Sequence, residues 1–217
     1  MTDVFYRHLP HYHPPNATFF ITFRLAGSLP VEAVKQLRDE KESELRRLAE
    51  RFQGRELQQE WYKLSKKMFA HYDDCLDRGH GPRWLSEPRI VEVVKHELHH
   101  LHPEFYHLHV YCLMPTHGHL LIDLQDIPQP SLPKSGQHYT ALSHAMKLFK
   151  GRTGYACRKL LGGTGPFWQD ESYDHVVRDE KEFERIVDYI LNNPVKAGLV
   201  KHWQDWPHTY ISENLLP

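Results

Sequence analysis

The chain has 217 residues, 40% hydrophobic and 25% charged, with 27 Lys and Arg against 28 Asp and Glu. This suits one compact domain, or one domain carrying an insertion. No run of about 18 apolar residues occurs, which excludes a membrane-spanning helix. The N-terminal stretch MTDVFYRHLPHYHPP has no apolar signal core, so a cytoplasmic protein is expected. The cysteines, Cys75, Cys112 and Cys157, show no CxxC spacing, which argues against a disulfide framework or a structural zinc site.

The aromatic and β-branched run TFFITFRLA at 18–26 reads as a strand. Apolar positions Val31, Val34, Leu37, Leu45, Leu48 and Phe52 then recur at helical spacing among charges. Gly54 interrupts this stripe, and a second follows at Leu57, Trp61, Leu64 and Met68. Together they predict a helical hairpin, inserted at about 31–72, that serves as an interface or a DNA clamp. A loop at 79–82 precedes a helix opened by Glu87-Pro88, with Ile90, Val91, Val94 and Leu98 inward. Two strands, 105–114 and 117–124, flank a Pro115-Thr116 turn. Alternation puts Tyr106, Leu108, Val110, Cys112 and Met114 on one face of the first. In the second it separates Gly118, Leu120, Ile122 and Leu124 from His117, His119, Leu121 and Asp123. One sheet face is thus expected to be apolar and covered by helices, the other decorated with histidines. The Pro-, Ser- and Gly-rich stretch 125–137 reads as a mobile loop. A basic helix is predicted from about His138 to Leu161, broken by GGTGP. A last helix starts after Asp179, with Glu182 completing a capping box, and ends at Asn193-Pro194, because a residue before proline avoids the α region. This order predicts an α+β domain with an antiparallel sheet and helices packed on one face.

The near-zero net charge conceals an uneven distribution. No acid occurs from 127 to 169, a stretch carrying Lys134, Lys147, Lys150, Arg152, Arg158 and Lys159. A local basic surface of this kind can neutralise phosphates, although a merely solvated helix face gives the same pattern. His117 and His119 stand two apart on a strand, so both imidazoles leave one face and could share a cation, given a third ligand. On the last helix, 100° per residue groups Phe183, Ile186, Val187, Ile190 and Leu191 into a buried stripe. Tyr189 and Asn193 fall together on its flank, one turn apart. They could reach a metal held by the histidines. Alternatively, Tyr189 packs its ring at the boundary and Asn193 caps the helix.

Three blocks carry a resemblance: NATFFITFRLAGSLP, YCLMPTHGHLLI, and GPFWQDESYDHVVRDEKEFERIVDYILNNPVKAGLV, with DRGHGPRWL between the first two. The chain resembles the REP-associated tyrosine transposases, a branch of the HUH single-strand nuclease and transposase superfamily. The resemblance implies a ferredoxin-like α+β fold in one transposase-like domain over 1–217. It implies that His117 and His119 are the metal-binding pair, Tyr189 the nucleophile and Asn193 the third ligand. The implied reaction is metal-dependent cleavage and rejoining of single-stranded DNA at REP-type hairpins through a 5′-phosphotyrosine. A domesticated hairpin-binding protein without cleavage is the rival reading. Two imidazoles and an amide oxygen suit Mg²⁺ or Mn²⁺, with Mn²⁺ favoured by the nitrogens. His107 and His109 form a rival pair lacking the MP-x-H-x-H context; Tyr155 and Tyr173 are rival nucleophiles. Lys147, Lys150 and Arg152 are the expected DNA contacts, with Arg24 and Lys196 as weaker candidates and Trp168 as a base-stacking residue. Gly118, between the histidines, is expected to weaken strand packing. The protein is expected to act as a monomer or homodimer.

Overall fold

A computed structural model of the chain describes residues 4–6, 10–79, 81–130 and 139–216. Lys134 and most of the stretch read as a mobile loop lie outside the described residues. Strands β1 (Val4–Tyr6) and β2 (Pro10–Tyr12) pair as a small antiparallel ribbon. The main sheet contains β3 (Thr18–Arg24), β4 (His107–Leu113), β5 (His117–Asp123), β6 (Tyr173–Val176) and β7 (Thr209–Ile211). It is open, its strands pair antiparallel, and its order is β6-β3-β5-β4-β7. The helices are α1 (Val31–Arg51), α2 (Gly54–Asp77), α3 (Pro88–His100), α4 (Ala141–Leu161) and α5 (Glu180–Lys196). The expected α+β class and antiparallel sheet are borne out. None of the helices among the described residues is long and apolar enough to cross a membrane.

Central strand β3 divides the core by alternation. Phe19, Ile21 and Phe23 enter a cluster with Val91, Val94 and Leu98 of α3 and with Leu142, Ala145 and Phe149 of α4. Phe20 enters a second cluster on the opposite face, with Val110, Cys112, Leu121, Ile190 and Leu191. Each fully buried Val, Leu, Ile or Phe side chain among them contributes about 1.5–3 kcal/mol of hydrophobic stabilisation. Helices therefore cover both faces, α3 and α4 on one, α5 and part of α2 on the other. The expectation of a single covered face fails because α5 carries its own apolar stripe and buries it against the histidine side of β4.

Local details correct the sequence reading further. A bulge shifts the β4–β5 register between Leu108 and Val110. Leu108 therefore packs with the α3/α4 cluster and Val110 with the other, although simple alternation puts them together. Strands β6 and β7 escaped the sequence reading because both are short and only half-buried, with no apolar alternation. Helix α4 begins three residues later than expected, where Thr140 and Ser143 form a reciprocal capping box, and ends at Gly162 in the left-handed conformation, φ 63°. Helix α5 runs through Pro194 to Lys196 instead of stopping at Asn193. Asn193 and Pro194 are both buried, so packing overrides the local preference of a pre-proline residue. Asp179 caps α5 by accepting from the Glu182 N–H, while the Glu182 carboxylate accepts from the Arg178 N–H. The three cysteines are free thiols.

Gly118 is sterically required. A Cβ there would stand 2.6 Å from the Phe23 ring and 2.9 Å from Leu113 Cδ2. The Phe23 ring fills the space and itself packs on Phe149 and Trp168. The glycine tightens the strand where it was expected to loosen it.

Candidate metal and nucleophile site

The turn between β4 and β5 places His117 and His119 under α2 and α5, both with at most 1% of their surface exposed. Their Nε2 atoms are 3.2 Å apart. The Thr116 hydroxyl donates to the Leu76 carbonyl at 3.3 Å, so its oxygen is free to accept from His117 Nδ1–H at 2.9 Å. That fixes the tautomer and leaves Nε2 with its lone pair. His119 Nδ1 lies 2.9 Å from the Thr22 hydroxyl on neighbouring β3, an arrangement that orients its ring the same way. Burial, aided by His119, lowers the His117 pKa to about 3, keeping the ring neutral. The two Nε2 atoms and the Asp73 carboxylate thus converge on one small buried volume, which either a shared proton or a cation can fill. Ligand atoms about 2.0–2.2 Å from a shared ion stand about 3 Å from each other, in keeping with the observed separation.

Helix α5 crosses this face. Asn193 is 1% exposed, and its amide nitrogen lies 3.2 Å from His119 Nε2. Its Oδ1 has no hydrogen-bond partner. Rotating the amide by 180° exchanges the two atoms and turns the oxygen toward the imidazole. One turn earlier, the Tyr189 ring stands 5.5 Å from the His119 ring, centroid to centroid, and edge-on to Phe20 and Phe69. The helical and strand periodicities thus bring His117, His119, Tyr189 and Asn193 into one cluster.

The sequence reading missed the carboxylates of α2. Asp73 is fully buried. Its Oδ1 lies 3.3 Å from His119 Nε2, and its Oδ2 accepts hydrogen bonds from the Tyr189 hydroxyl and, at 3.1 Å, from Lys196 Nζ. Asp77 Oδ1 lies 4.0 Å from His117 Nε2. Lys196 also pairs with Asp74 at 3.0 Å and with Asp77 at 3.4 Å. Burial works to raise the Asp73 pKa, but a hydrogen bond and positive charge on the His119 side, with His117 and the Tyr189 hydroxyl adding to them, outweigh it and hold the carboxyl well below the usual range. Burial, then the Asp73 charge, pushes the Tyr189 phenol far above its ordinary value. Burial raises the Asp77 pKa, and the Asp73 charge adds to it. Among the described residues, the buried side-chain atoms without a hydrogen-bond partner are Asp73 Oδ1, Asp77 Oδ1, Asn193 Oδ1 and His208 Nδ1. Three of these four belong to this cluster. A buried acceptor without a donor costs about 1–3 kcal/mol, and a cation beside His119 would offset that cost at Asp73 Oδ1. Asp73, His117 and His119 offer ligand atoms within 4.8 Å of one another and could bind a metal ion. The donor set of imidazole nitrogens and oxygens fits a divalent cation such as Mg²⁺ or Mn²⁺.

The expected DNA contacts fare unevenly. Trp168 is 6% exposed, donates from Nε1 to Thr153 at 2.8 Å and packs against Phe23 and Phe149; it is a core residue with no face for a base. Arg24 is 5% exposed and held by Ser28, so it is a buried support beside His117 in the register, not a surface cation. Lys150 donates to the Gln169 and Asp170 carbonyls, and Arg152 pairs with Glu97 at 3.0 Å. Lys147 is exposed beside the Tyr139 ring, and Lys196 is 44% exposed within the acid cluster. The rival groups are not brought to the site. His107 lies against the Gln125 carbonyl and His109 against Phe183. Tyr155 is exposed on α4, and Tyr173 packs on Phe69.

Comparison with known proteins agrees with the resemblance in the motifs. No protein-family profile matches the chain. A REP-associated tyrosine transposase of Escherichia coli K12 is 28% identical over 116 residues, covering 52% of this chain and 61% of that protein. A Haemophilus influenzae protein bearing the same name as a provisional designation is 29% identical over 104 residues, covering 45% of this chain and 54% of its own. The matches thus span little more than half the length of these relatives. A solved structure of a REP-associated tyrosine transposase bound to a REP hairpin superposes with a TM-score of 0.55 at 18% identity, covering 98% of this chain and 89% of that one. By sequence the chain is a homologue of proteins named REP-associated tyrosine transposases, and it shares their fold.

Proposed function

We propose that this homologue of the REP-associated tyrosine transposases is a metal-dependent single-stranded DNA endonuclease and strand transferase that acts at DNA hairpins. The observation that carries the reading is the meeting of the Tyr189 phenol with His117, His119, Asn193 and Asp73 around buried oxygens that lack donors. Tyr189 attacks a phosphodiester, forming a bond from its phenolic oxygen to the 5′ phosphate and breaking the bond to the 3′ oxygen. The proton lost by the phenol balances the one gained by the released 3′ hydroxyl. A later 3′ hydroxyl reverses the step and joins strands, so bond energy is conserved and no nucleotide triphosphate is consumed. A Mg²⁺ or Mn²⁺ ion held by His117, His119 and Asn193 would polarise the phosphate and offset charge on the leaving oxygen. Threonines 22 and 116 keep the imidazoles turned to the site. The name of the solved structural neighbour, bound to a REP hairpin, supports DNA hairpins as the substrate class. Exposed Lys147 on the acid-free helix α4 is the leading contact for their phosphates. A cytoplasmic location suits this reading.

The test is a covalent adduct. With Mn²⁺ and a panel of single-stranded hairpin oligonucleotides, a denaturing gel is expected to show protein linked to DNA, lost completely in Tyr189→Phe. Cleavage that survives Tyr189→Phe indicates a water nucleophile instead. Hairpin retention in a native gel with no adduct on any substrate indicates a binding protein that does not cut.

A further inference from the structure

Helix α2 belongs to the hairpin of mostly charged helices whose role the sequence left between an interface and a clamp. Its C-terminal half delivers Asp73 into the cluster, fully buried, between two groups that the reaction must hold together. One carboxylate oxygen lies 3.3 Å from His119 Nε2 and has no other partner. The other accepts from the Tyr189 hydroxyl and from Lys196. Fully buried, with an imidazole nitrogen as the sole neighbour of one oxygen and a phenol on the other, this carboxylate is placed to bridge the histidines and the tyrosine. On the α5 side, the Asn193 amide stands 3.2 Å from the same His119 Nε2 through its nitrogen, and a 180° amide rotation turns its oxygen, which has no hydrogen-bond partner, toward that point.

We propose that Asp73 is a positioning residue that couples the two halves of the site: its Oδ1 ligates the divalent cation while its Oδ2 holds the Tyr189 phenol beside it. The inserted hairpin is then part of the active site and not an accessory clamp. This rests on the transesterification reading and adds to it a fourth cation ligand, from outside the strand and terminal-helix motifs. Lys196 has a supporting part, because its pairs with Asp73, Asp74 and Asp77 lower the cost of gathering acids around a buried oxygen. Thr116, hydrogen-bonded to Leu76 of the same helix, ties α2 to the metal-binding turn.

The experiment compares Asp73→Asn, Tyr189→Phe and Glu56→Gln in the full chain. Glu56 is an exposed acid at the far end of α2. Mn²⁺ affinity is read from the electron paramagnetic resonance signal of free Mn²⁺. The rate of adduct formation is read at saturating Mn²⁺, and hairpin retention in a native gel serves as the check on folding. Asp73→Asn, which keeps the side-chain shape, is expected to weaken Mn²⁺ binding tenfold or more. It is also expected to slow adduct formation at saturating Mn²⁺ by tenfold or more, with hairpin retention unchanged. Tyr189→Phe is expected to bind Mn²⁺ within twofold of wild type, and Glu56→Gln to match wild type in every reading. Wild-type Mn²⁺ affinity in Asp73→Asn overturns the proposal, and so does a wild-type adduct rate at saturating Mn²⁺, because both roles are claimed. If the wild-type protein forms no adduct on any oligonucleotide, the transesterification reading falls. The Mn²⁺ series then decides the matter for Asp73 by itself, with unchanged affinity in Asp73→Asn overturning the inference.

Discussion

On the α3/α4 face of the sheet, Phe23, Phe149, Phe167 and Trp168 pack ring against ring, and the Trp168 N–H is satisfied by Thr153. On the α2/α5 face, beneath the same strands, three buried oxygens have no hydrogen-bond partner and two imidazole nitrogens stand 3.2 Å apart. Alternate residues of one strand serve both sides: Phe19, Ile21 and Phe23 the first, Phe20 and Thr22 the second. The difference teaches that the dry face spends its residues on packing, while the polar face keeps buried acceptors that packing alone leaves unpaired. Because one strand serves both layers, packing on the first side fixes the register that brings the groups on the other together.

Three measurements test that contrast, beginning with the largest expected effect. If the polar face is destabilised by unmet acceptors, a divalent cation that binds only the folded state raises stability. At a hundredfold excess over its dissociation constant the gain is about 2.7 kcal/mol, roughly 5–10 °C in Tm for a chain of this size. Thermal melts with Mn²⁺ and with a chelator check this, and melts unaffected by metal would remove the cation from the argument. The next test crowds the dry face. Gly118→Ala forces a methyl into the Phe23 ring and is expected to cost about 1–3 kcal/mol, read as a lower denaturation midpoint. A neutral outcome would mean the aromatic layer yields easily. The smallest effect is expected from Trp168→Phe, which keeps an aromatic ring but loses the hydrogen bond to Thr153, at about 1 kcal/mol. Hairpin affinity should stay unchanged in the same variant, since the indole belongs to the core. A large loss of binding with normal stability would return Trp168 to the DNA surface.

Much of the site was legible before any coordinates. Two histidines at a spacing of two must share a strand face. A tyrosine and an asparagine four apart must share a helix flank. These are one-dimensional periodicities, and they survive folding unless a bulge or a turn interrupts them. The bulge at β4 did so, moving Val110 to the other face from Leu108. The edge strands β6 and β7 left no pattern because half-buried short strands need no alternation.

The sequence by itself determined the helices and the three central strands, the shared face of His117 and His119, and the shared flank of Tyr189 and Asn193. Only the tertiary structure decided that α5 lies across the histidine face and that α2 pushes Asp73 between an imidazole and a phenol. It also decided that Trp168 and Arg24 turn inward. The physical reason is that periodicity records which side of an element is apolar, whereas the identity of the neighbour on that side is set by the sheet register and by helices packing from distant parts of the chain. A lone buried aspartate within a charged helix breaks no local rule, so nothing around it in the chain marks it out.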